Sequence, residues 1–300
     1  MPLIALTPKR DHLLNESWDD FLLARKARRC TPATLAYYQD TAGSFVAWAA
    51  ERGITDPTEI TARHVREYLA GVEARGVSDG TLHAHARATR TYLRFLAAEG
   101  YRPDALPVEI PKIRQQSRPC LTGDELRRVV AACKTPREKA VILTLADTGL
   151  RRSEALALTW GDVDLSAATV RVVSGKGRKA RTVIVGAVTR RALMAYRRAV
   201  RHDDPAPVFQ SERGGPLRSP GLRMLLRRLA VRSGVPHLGA HALRRTFATL
   251  SLRAGMDVLT LRELLGHSDL AQTMTYVRLV DDDLRAAHEA HGPVDRLLSR

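Results

Sequence analysis

The sequence predicts a mainly α-helical protein of two domains, with a small β-hairpin in the second domain. Between residues 17 and 98, apolar residues recur at helical spacing and turn signals separate the segments. A stretch containing four prolines follows, and the second half then contains two short β-rich segments around a glycine-containing turn. With 300 residues, 44% of them hydrophobic, the chain can bury a substantial core.

The prolines mark the boundary between the two domains. Few apolar positions lie among Pro103, Pro107, Pro111 and Pro119, and a stretch of this composition is typical of a linker. We therefore divide the chain into an N-terminal extension (1–16), a helical domain (17–99), a linker (100–117), a mixed α/β domain (118–278) and a C-terminal tail (279–300).

The first domain is predicted to be a four-helix bundle. Ser, Thr and Asp side chains cap helix starts by accepting a hydrogen bond from a first-turn N–H, and proline fits the first helical position. The four helices begin, in order, near Trp18 and Phe21, at Thr31-Pro32, after Asp56-Pro57 and Thr61, and after Ser78-Asp79-Gly80. The second helix is expected to continue through Phe45 and Trp48.

The fourth helix has two different faces. Its apolar face contains Leu82, Ala86, Leu93 and Leu96. A second stripe at positions i, i+4, i+7 and i+11 consists of His83, Arg87, Arg90 and Arg94. The stripe fits either a solvated charged face or a face that contacts the DNA backbone, and we carry these four residues as candidate DNA contacts.

The second domain is predicted to open with a helix capped at Thr122 and to continue with a helix over 136–148 that ends at Gly149. A short helix over 153–158 precedes β-strands at 169–173 and 182–185, which flank Gly175-Lys176-Gly177 as a basic hairpin tip. Further helices are expected over 187–201, 219–233, 240–254, 258–265 and 269–277.

Charge points to a polyanionic partner. The net charge is +16, and 32 basic and 18 acidic residues follow Gln116, against 16 and 14 up to that position. The net charge of +14 in the second part favours nucleic acid, because each neutralised phosphate releases counterions. The longest central apolar stretch, 140–146, is too short to span a bilayer, and the N-terminus lacks the features of a signal peptide. A cytoplasmic, nucleoid-associated protein is expected, with Cys30, Cys120 and Cys133 as reduced thiols.

One set of side chains suits phosphodiester cleavage without a metal, which requires a nucleophile, cations on the non-bridging oxygens and an acid for the leaving oxygen. Arg151 and Arg244 are candidate phosphate clamps, because a guanidinium can bond two phosphate oxygens. His241 lies three residues before Arg244, on the same helix face. Lys176 at a hairpin tip could protonate the leaving oxygen, and nearby cations would stabilise the phenolate of Tyr276. Taken singly, each of these residues has an ordinary structural explanation, and only their joint occurrence indicates this chemistry.

That joint pattern closely resembles the tyrosine recombinase (phage integrase) family, and in particular its simple two-domain members. The resemblance rests on four motifs in their order and spacing, and it covers residues 118–285 and, more weakly, the helical region before them. The motifs are Thr148-Gly149-Leu150-Arg151-Arg152-Ser153-Glu154, Gly175-Lys176-Gly177, His241-Ala242-Leu243-Arg244, and Leu265-Gly266-His267-Ser268 with Tyr276 nine residues after His267.

The resemblance implies a helical core-binding domain and a mixed α/β catalytic domain of the DNA breaking-rejoining type. It implies that Arg151 and Arg244 clamp the scissile phosphate and that Lys176 is the general acid at the 5′ oxygen. His241 and His267 would hydrogen-bond the phosphate, and Tyr276 would form a 3′-phosphotyrosyl link. Glu154 would orient Arg151. No cofactor or metal is expected, and a Walker A loop is excluded because Val170 stands where its first glycine would be.

The family resemblance also implies the partners. They are double-stranded recombination sites, with a monomer in solution that forms a homotetramer on DNA, and accessory proteins could take part. The tail after Tyr276 would either dock on a neighbouring protomer or pack on its own subunit. Further candidate DNA contacts are Arg152, Arg178, Lys179, Arg223, Arg227 and Arg245, where Arg152 and Arg245 could instead pair with a carboxylate.

Three other functions remain open at this point. A type IB topoisomerase uses similar chemistry but relaxes DNA as a monomer. A non-catalytic DNA-binding regulator could use Arg223, Arg227 and Arg228. A metal protein could use His237 with His241, or His288-Glu289 with His291, although neither set has a further ligand at suitable spacing.

Overall fold

The protein was analysed as a computed structural model, which describes residues 14–112, 119–173, 180–200, 206–267 and 269–277. The chain divides into two compact units, Met1–Gln116 and Ser117–Arg300. None of the described helices is long and apolar enough to cross a membrane. The predicted fold class is confirmed: the protein is mostly helical, with a small antiparallel sheet in the second unit.

The N-terminal unit contains helices α1 (Leu14–Ala27), α2 (Pro32–Tyr38), α3 (Ser44–Ala50), α4 (Ala62–Glu73) and α5 (Asp79–Ala98). Three predicted start signals are observed as caps, because the hydroxyls of Thr31, Thr61 and Ser78 each accept a hydrogen bond from a backbone N–H three residues later. The helices enclose a core of aromatic and aliphatic side chains that includes the fully buried Phe21, Phe45 and Tyr92.

The second predicted helix differs from expectation, because a π-helical turn, Gln39–Gly43, separates α2 from α3. Both Thr41 and Ala42 in this turn are buried, and the Thr41 hydroxyl donates a hydrogen bond to the Tyr37 carbonyl at 2.5 Å. A Cβ at Gly43 would lie only 3.0 Å from the Trp18 ring. The wider turn therefore brings two neighbouring residues into the core and lets α1 approach closely, which apolar periodicity does not indicate.

Part of the predicted linker is packed into the N-terminal unit. Tyr101 and Val108 are buried in its core, and the buried Arg102 guanidinium donates to the carbonyls of Pro57 and Ile60 at 3.2 and 3.1 Å. On α5, His83 also contacts this segment, because its Nδ1 lies 3.0 Å from the Pro111 carbonyl oxygen. Residues 101–112 thus belong structurally with the helices before them.

The C-terminal unit begins with helices α6 (Gly123–Ala131), α7 (Pro136–Thr148) and α8 (Arg152–Ala157). Strands β1 (Val163–Asp164), β2 (Thr169–Val172) and β3 (Arg181–Ile184) form an antiparallel sheet in that order, in which Val170 pairs with Val163 on one side and Val183 on the other. The two-residue β1 was not predicted, because so short a strand has no alternation to detect. The predicted hairpin tip, Gly175-Lys176-Gly177, lies outside the described residues.

Five helices follow the sheet: α9 (Ala187–Ala199), α10 (Ser219–Ser233), α11 (Ala240–Arg253), α12 (Val258–Leu265) and α13 (Leu270–Val277). Most of the apolar side chains form one core between the helices and the inner face of the sheet. A smaller cluster, Ala248, Leu261 and Leu265 with Phe247 and Tyr276 against it, joins the last three helices. This small cluster lies beside the candidate site.

Candidate active site

The site begins where helix α7 ends. Gly149 is the C-cap of α7 and adopts the left-handed conformation at φ 59° and ψ 20°, which favours glycine. A Cβ at this position would lie 2.4 Å from Phe247 Cδ1 and 2.8 Å from Leu265 Cδ2. The glycine therefore allows both the turn and the close approach of α11 and α12. The next residues in the chain are Leu150, which is fully buried, and Arg151.

Arg151 is held in place at both ends of its guanidinium. Its NH1 donates to Glu154 Oε1 at 2.8 Å, and its NH2 donates to the Gly266 carbonyl at 3.0 Å. The Arg151 backbone N–H donates to Glu154 Oε2 at 2.8 Å, which also caps α8. Glu154 thus orients Arg151, as its place in the motif led us to expect, and the guanidinium keeps a side-chain exposure of 22%.

Arg181 was missed by sequence reasoning, although it belongs to this cluster. It is the first residue of β3, and its NH1 and NH2 donate to the two oxygens of Glu154 at 3.0 and 2.8 Å. Its Nε donates to the Leu264 carbonyl at 2.8 Å. An arginine that directly precedes a predicted strand gives no local signal for a partner 27 residues away.

The Glu154 carboxylate is ionised in this setting. Burial of the side chain opposes ionisation, but hydrogen bonds from Arg181 and Arg151 outweigh that effect and lower the pKa of Glu154 to about 2. At neutral pH the carboxylate therefore stays negative between two cations.

Arg244 is nearly completely buried, with 4% exposure. Its NH1 donates to the Gly149 carbonyl at 2.5 Å, and its NH2 donates to the Leu265 carbonyl at 2.8 Å. Burial and the neighbouring Arg151 lower the pKa of Arg244 to about 10, so it keeps its charge at neutral pH. The cluster contains three guanidinium groups and one carboxylate: those of Arg151, Arg181 and Arg244, and that of Glu154. The formal net charge of these four groups is therefore +2. Such a surplus attracts an anion.

His267 connects this cluster to the last described helix. Its Nε2 lies 2.9 Å from Arg244 NH2, and its Nδ1 lies 2.8 Å from the hydroxyl of Thr273. A guanidinium only donates, so Nε2 accepts, and we infer that the proton is on Nδ1 and points to Thr273. Thr273 is fully buried on α13, three residues before Tyr276.

The turn that carries His267 requires glycine. Gly266 is the left-handed C-cap of α12, at φ 61° and ψ 48°. A Cβ at Gly266 would lie 2.9 Å from Arg181 NH1, and the Gly266 carbonyl accepts the bond from Arg151. This turn therefore contacts two arginines and directs the following histidine toward a third.

Tyr276 lies on α13 beside these groups. Its ring stacks on the His267 ring, with centroids 6.1 Å apart and an interplanar angle of 18°. The side chain is partly buried against the small apolar cluster of α11 and α12. Four of the six predicted catalytic residues, Arg151, Arg244, His267 and Tyr276, are thus brought together by elements far apart in the sequence.

The other two predicted catalytic residues are placed differently. His241 lies exposed in the first turn of α11, whereas Arg244, three residues later, is buried. Lys176 lies outside the described residues, as do the candidate DNA contacts Arg178 and Lys179 and the tail from residue 278 onward.

The remaining candidate DNA contacts divide into exposed and engaged side chains. Those that the structure leaves exposed are Arg87, Arg94, Arg152, Arg223 and Arg227, while Arg90 is partly buried. His83 contacts the Pro111 carbonyl. The guanidinium of Arg245, which is a candidate contact to DNA or to a carboxylate, donates twice to the backbone carbonyl of Pro119, at 3.2 and 2.8 Å. Arg245 therefore anchors the start of this unit, which sequence spacing did not predict.

The first of the two alternative metal sets, His237 with His241, gains no further ligand in the described part of the chain. The Nε2 atom of His237 lies 3.6 Å from Glu125 Oε2, beyond hydrogen-bond distance. Across the described ranges, no three His, Cys, Asp or Glu side chains form a group that could hold a metal ion. The second set, His288-Glu289 with His291, lies outside those ranges.

Comparison with known proteins identifies both halves of the chain. Residues 119–282 match the model of the phage integrase family, and residues 16–100 match that of the phage integrase N-terminal SAM-like domain. The chain is similar to the tyrosine recombinase XerC of Bacillus pumilus, with 33% identity over 276 residues that cover 87% of this chain and 90% of the relative. It is also similar to the XerC of Xanthomonas campestris, with 31% identity over 273 residues that cover 89% and 84%.

Solved structures show the same fold. The crystal structure of XerA recombinase is 28% identical, has a TM-score of 0.54, and matches over 93% of this chain and 99% of that one. The Tn1549 transposon integrase in complex with transposon right end DNA has a TM-score of 0.74 at 16% identity, over 93% and 99% of the two chains. The family match, the relatives and the four convergent site residues agree, and the chain therefore belongs to the phage integrase family, as a tyrosine site-specific recombinase.

Proposed function

We propose that this recombinase cleaves and rejoins DNA strands through a covalent 3′-phosphotyrosyl intermediate formed by Tyr276. The observation that carries the proposal is the convergence of Arg151, Arg244 and His267 beside the Tyr276 ring. A phenolate that attacks a phosphodiester places extra negative charge on the non-bridging oxygens. The net positive cluster stabilises that charge, and transition-state stabilisation of this kind is usually the largest contribution to such catalysis.

Each residue receives one role in this proposal. Arg151 and Arg244 bind the non-bridging oxygens of the scissile phosphate. His241 and His267 donate hydrogen bonds to the same phosphate, and His241, which is exposed, can also accept a proton from the nucleophile. Lys176 protonates the 5′ leaving oxygen. In the rejoining step these events are reversed, with a new 5′ hydroxyl as the nucleophile that attacks the phosphotyrosyl bond. The phosphotyrosyl bond retains the energy of the broken phosphodiester, so no external energy source is needed.

Arg244 and His267 must exchange partners when DNA binds. In the structure Nε2 of His267 accepts a bond from Arg244, and the guanidinium is directed at two backbone carbonyls. A phosphate that enters the cluster offers oxygen acceptors to both side chains. We propose that His267 then carries a proton on Nε2 and donates a hydrogen bond from Nε2 to the phosphate, while its contact with Thr273 keeps the ring oriented.

The DNA partner is proposed from charge and from relatives. XerH recombinase has been solved bound to its difH substrate, and lambda integrase as a dimer bound to a core site, at 21% and 20% identity to this chain. We propose that domain 17–99 binds the DNA through exposed residues such as Arg87 and Arg94, and that linker 100–117 connects this domain to the catalytic domain. The monomer assembles into a homotetramer on two recombination sites, associated with the nucleoid, with the tail 279–300 contacting a neighbouring protomer.

Capture of the covalent adduct tests the nucleophile. The protein is incubated with sheared genomic DNA of its source organism, protein-linked fragments are isolated under denaturing conditions, and their sequences define the site. A synthetic site with a nick beside the scissile phosphate then traps the adduct, because the released segment diffuses away. We expect the wild type to form an adduct whose mass and fragmentation place the nucleotide on Tyr276, and Tyr276→Phe to bind the site but form none.

A matched control separates chemistry from packing. Tyr196→Phe removes the same hydroxyl from a fully buried tyrosine of the same unit, whose oxygen accepts a bond from the Gln210 N–H. This variant should form the adduct at an unchanged rate per folded molecule. An adduct formed by Tyr276→Phe would refute the assignment. Relaxation of supercoiled plasmid that lacks the captured site would instead indicate topoisomerase activity.

A further inference from the structure

Arg181 occupies a central position in the active-site cluster, and most of its side chain is buried. Its side chain is 13% exposed, and all three nitrogens of its guanidinium group donate to described acceptors: Nε to the Leu264 carbonyl and both terminal nitrogens to Glu154. A guanidinium bonded in this fork geometry is fixed in position and plane. Arg181 therefore serves as a rigid part of the site.

The bonds from Arg181 complete the coordination of Glu154. Each carboxylate oxygen accepts two hydrogen bonds: Oε1 from Arg151 NH1 and Arg181 NH1, and Oε2 from the Arg151 backbone N–H and Arg181 NH2. A carboxylate has about four acceptor positions, so this one is saturated. Glu154 can neither rotate nor accept a second bond from the Arg151 guanidinium while Arg181 is present.

Loss of Arg181 would change the position of Arg151. Without Arg181, two acceptor positions of a buried carboxylate would lose their donors, and the nearest replacement is the Arg151 guanidinium, which already contacts Oε1. A two-point pair with Glu154 would draw Arg151 out of its present position. The net charge of the cluster would also fall from +2 to +1. Both changes weaken binding of a phosphate oxyanion.

Arg181 also supports the turn that bears His267. Its Nε donates to the Leu264 carbonyl at the end of α12, and its NH1 packs so closely on the turn that a Cβ at Gly266 would lie only 2.9 Å from it. The Gly266 carbonyl is the second anchor of Arg151. The same side chain therefore fixes both groups that hold Arg151, one through Glu154 and one through the turn.

We propose that Arg181 is a positioning residue for strand cleavage, which holds Arg151 in place for the scissile phosphate through Glu154 and the turn 264–267. This inference rests on the proposed role of Arg151 as a phosphate clamp. In this role Arg181 does not contact the DNA. Its loss slows cleavage only of a substrate whose scissile phosphate is negatively charged.

A substrate without the phosphate charge distinguishes this role from simple stabilisation of the fold. A nicked site is prepared with either the natural phosphodiester or a methylphosphonate at the scissile position, in which methyl replaces one charged oxygen. Single-turnover adduct formation is measured on both substrates at saturating protein. The ratio of the two rates is independent of the active fraction, so partial unfolding cancels from it.

Four variants are compared with the wild type. Arg151→Ala is the reference for a lost clamp. Arg181→Met removes the positioning group, and Arg181→Lys keeps the charge without the fork. Arg171→Met is the matched control, because Arg171 lies on the neighbouring strand β2 with 66% exposure and pairs only with Asp162 among the ion pairs of the described residues.

We expect Arg181→Met to cleave the phosphodiester about 10- to 100-fold more slowly, the loss typical of a catalytic group displaced by about 1 Å, and to change methylphosphonate cleavage by less than about threefold. Its rate ratio should shift in the same direction as that of Arg151→Ala. Arg181→Lys should give an intermediate ratio, and Arg171→Met the wild-type ratio.

Two outcomes would contradict the proposal, and they distinguish failure of the Arg181 role from failure of the Arg151 clamp. If Arg151→Ala shifts the ratio but both Arg181 variants slow the two substrates equally, then Arg181 is only structural and the inference is wrong while the clamp stands. If Arg151→Ala itself leaves the ratio unchanged, the proposed clamp fails and the inference fails with it.

Discussion

Replacing Gly149 with alanine should destabilise the C-terminal unit and slow DNA cleavage at the same time. Gly149 ends helix α7 in the left-handed conformation, and its carbonyl accepts a hydrogen bond from Arg244. The added methyl group would have to occupy space already filled by the Phe247 ring and the Leu265 side chain, at 2.4 and 2.8 Å. Either the backbone or those two side chains must move.

The magnitude follows from two separate costs. A non-glycine residue in the left-handed region costs roughly 1 kcal/mol, and forcing a methyl group into a packed core costs about 1 to 3 kcal/mol. Because the Phe247 ring is rigid and cannot fold away as a flexible side chain can, the packing cost applies in full. We expect Gly149→Ala to lower the free energy of unfolding of this unit by about 2 to 4 kcal/mol.

Gly234 provides the matched control. It is the left-handed C-cap of α10, at φ 65° and ψ 30°, and a Cβ there would meet only Arg128 NH1 at an ordinary 3.8 Å. Gly234→Ala therefore carries the backbone cost of roughly 1 kcal/mol without the packing cost. The difference between the two variants isolates the steric contribution of the site.

Urea unfolding followed by hydrogen exchange of peptides from α7, α10 and α11 measures the stability of this unit within the full chain. Adduct formation on the nicked site, normalised to folded protein, measures activity. Equal destabilisation by Gly149→Ala and Gly234→Ala would refute the packing argument. A destabilised Gly149→Ala that retained wild-type cleavage per folded molecule would show that the Gly149 carbonyl does not position Arg244.

Three further predictions concern charge. Glu154 has a pKa of about 2 in the folded protein against 4.5 ordinarily, so it contributes up to about 3 kcal/mol of stability above pH 4.5, which is lost as the pH falls toward 2. The stability gap between wild type and Glu154→Gln, from urea unfolding at several pH values, should therefore narrow over that interval. Lys176→Ala should slow cleavage, and a substrate with a 5′-bridging sulfur should restore much of the rate, because that leaving group needs no proton. DNA affinity, measured by fluorescence anisotropy, should fall steeply with salt because of the net charge of +14 after Gln116.

Each of these three predictions would be contradicted by a specific result. A pH-independent gap for Glu154→Gln would mean that the ion pairs of the site contribute no net stability. Failure of the sulfur substrate to rescue Lys176→Ala would remove Lys176 from the acid role. A salt-independent affinity would contradict the phosphate contacts inferred from charge.

Local features of the fold were predictable because their causes are local. A helix cap depends on residues three or four positions apart, so the starts at Thr31, Thr61, Ser78 and Thr122 follow from the sequence and are observed. The left-handed end of α7 at Gly149 follows for the same reason. The π-helical turn 39–43 was not predictable, because it depends on how Thr41 and Ala42 pack against other helices.

The candidate site was predictable as a set of residues but not as an arrangement. The motifs named Arg151, Arg244, His267 and Tyr276, and the structure brings these four together. The motifs did not name Arg181, because an exposed surface arginine and one that bonds a buried carboxylate look alike in a sequence. They also did not indicate that Arg245 would bind the Pro119 carbonyl.

The sequence by itself determined where helices begin and end, the excess of positive charge in the second unit, and the family to which the chain belongs. Tertiary structure alone decided which cations are buried and what they bind. The contacts of the site join residues far apart in the chain: Arg151 bonds Gly266 across 115 positions, and Arg244 bonds Gly149 across 95. Such bonds form only after α7, α11 and α12 have packed, because desolvation and hydrogen-bond geometry depend on all three helices together.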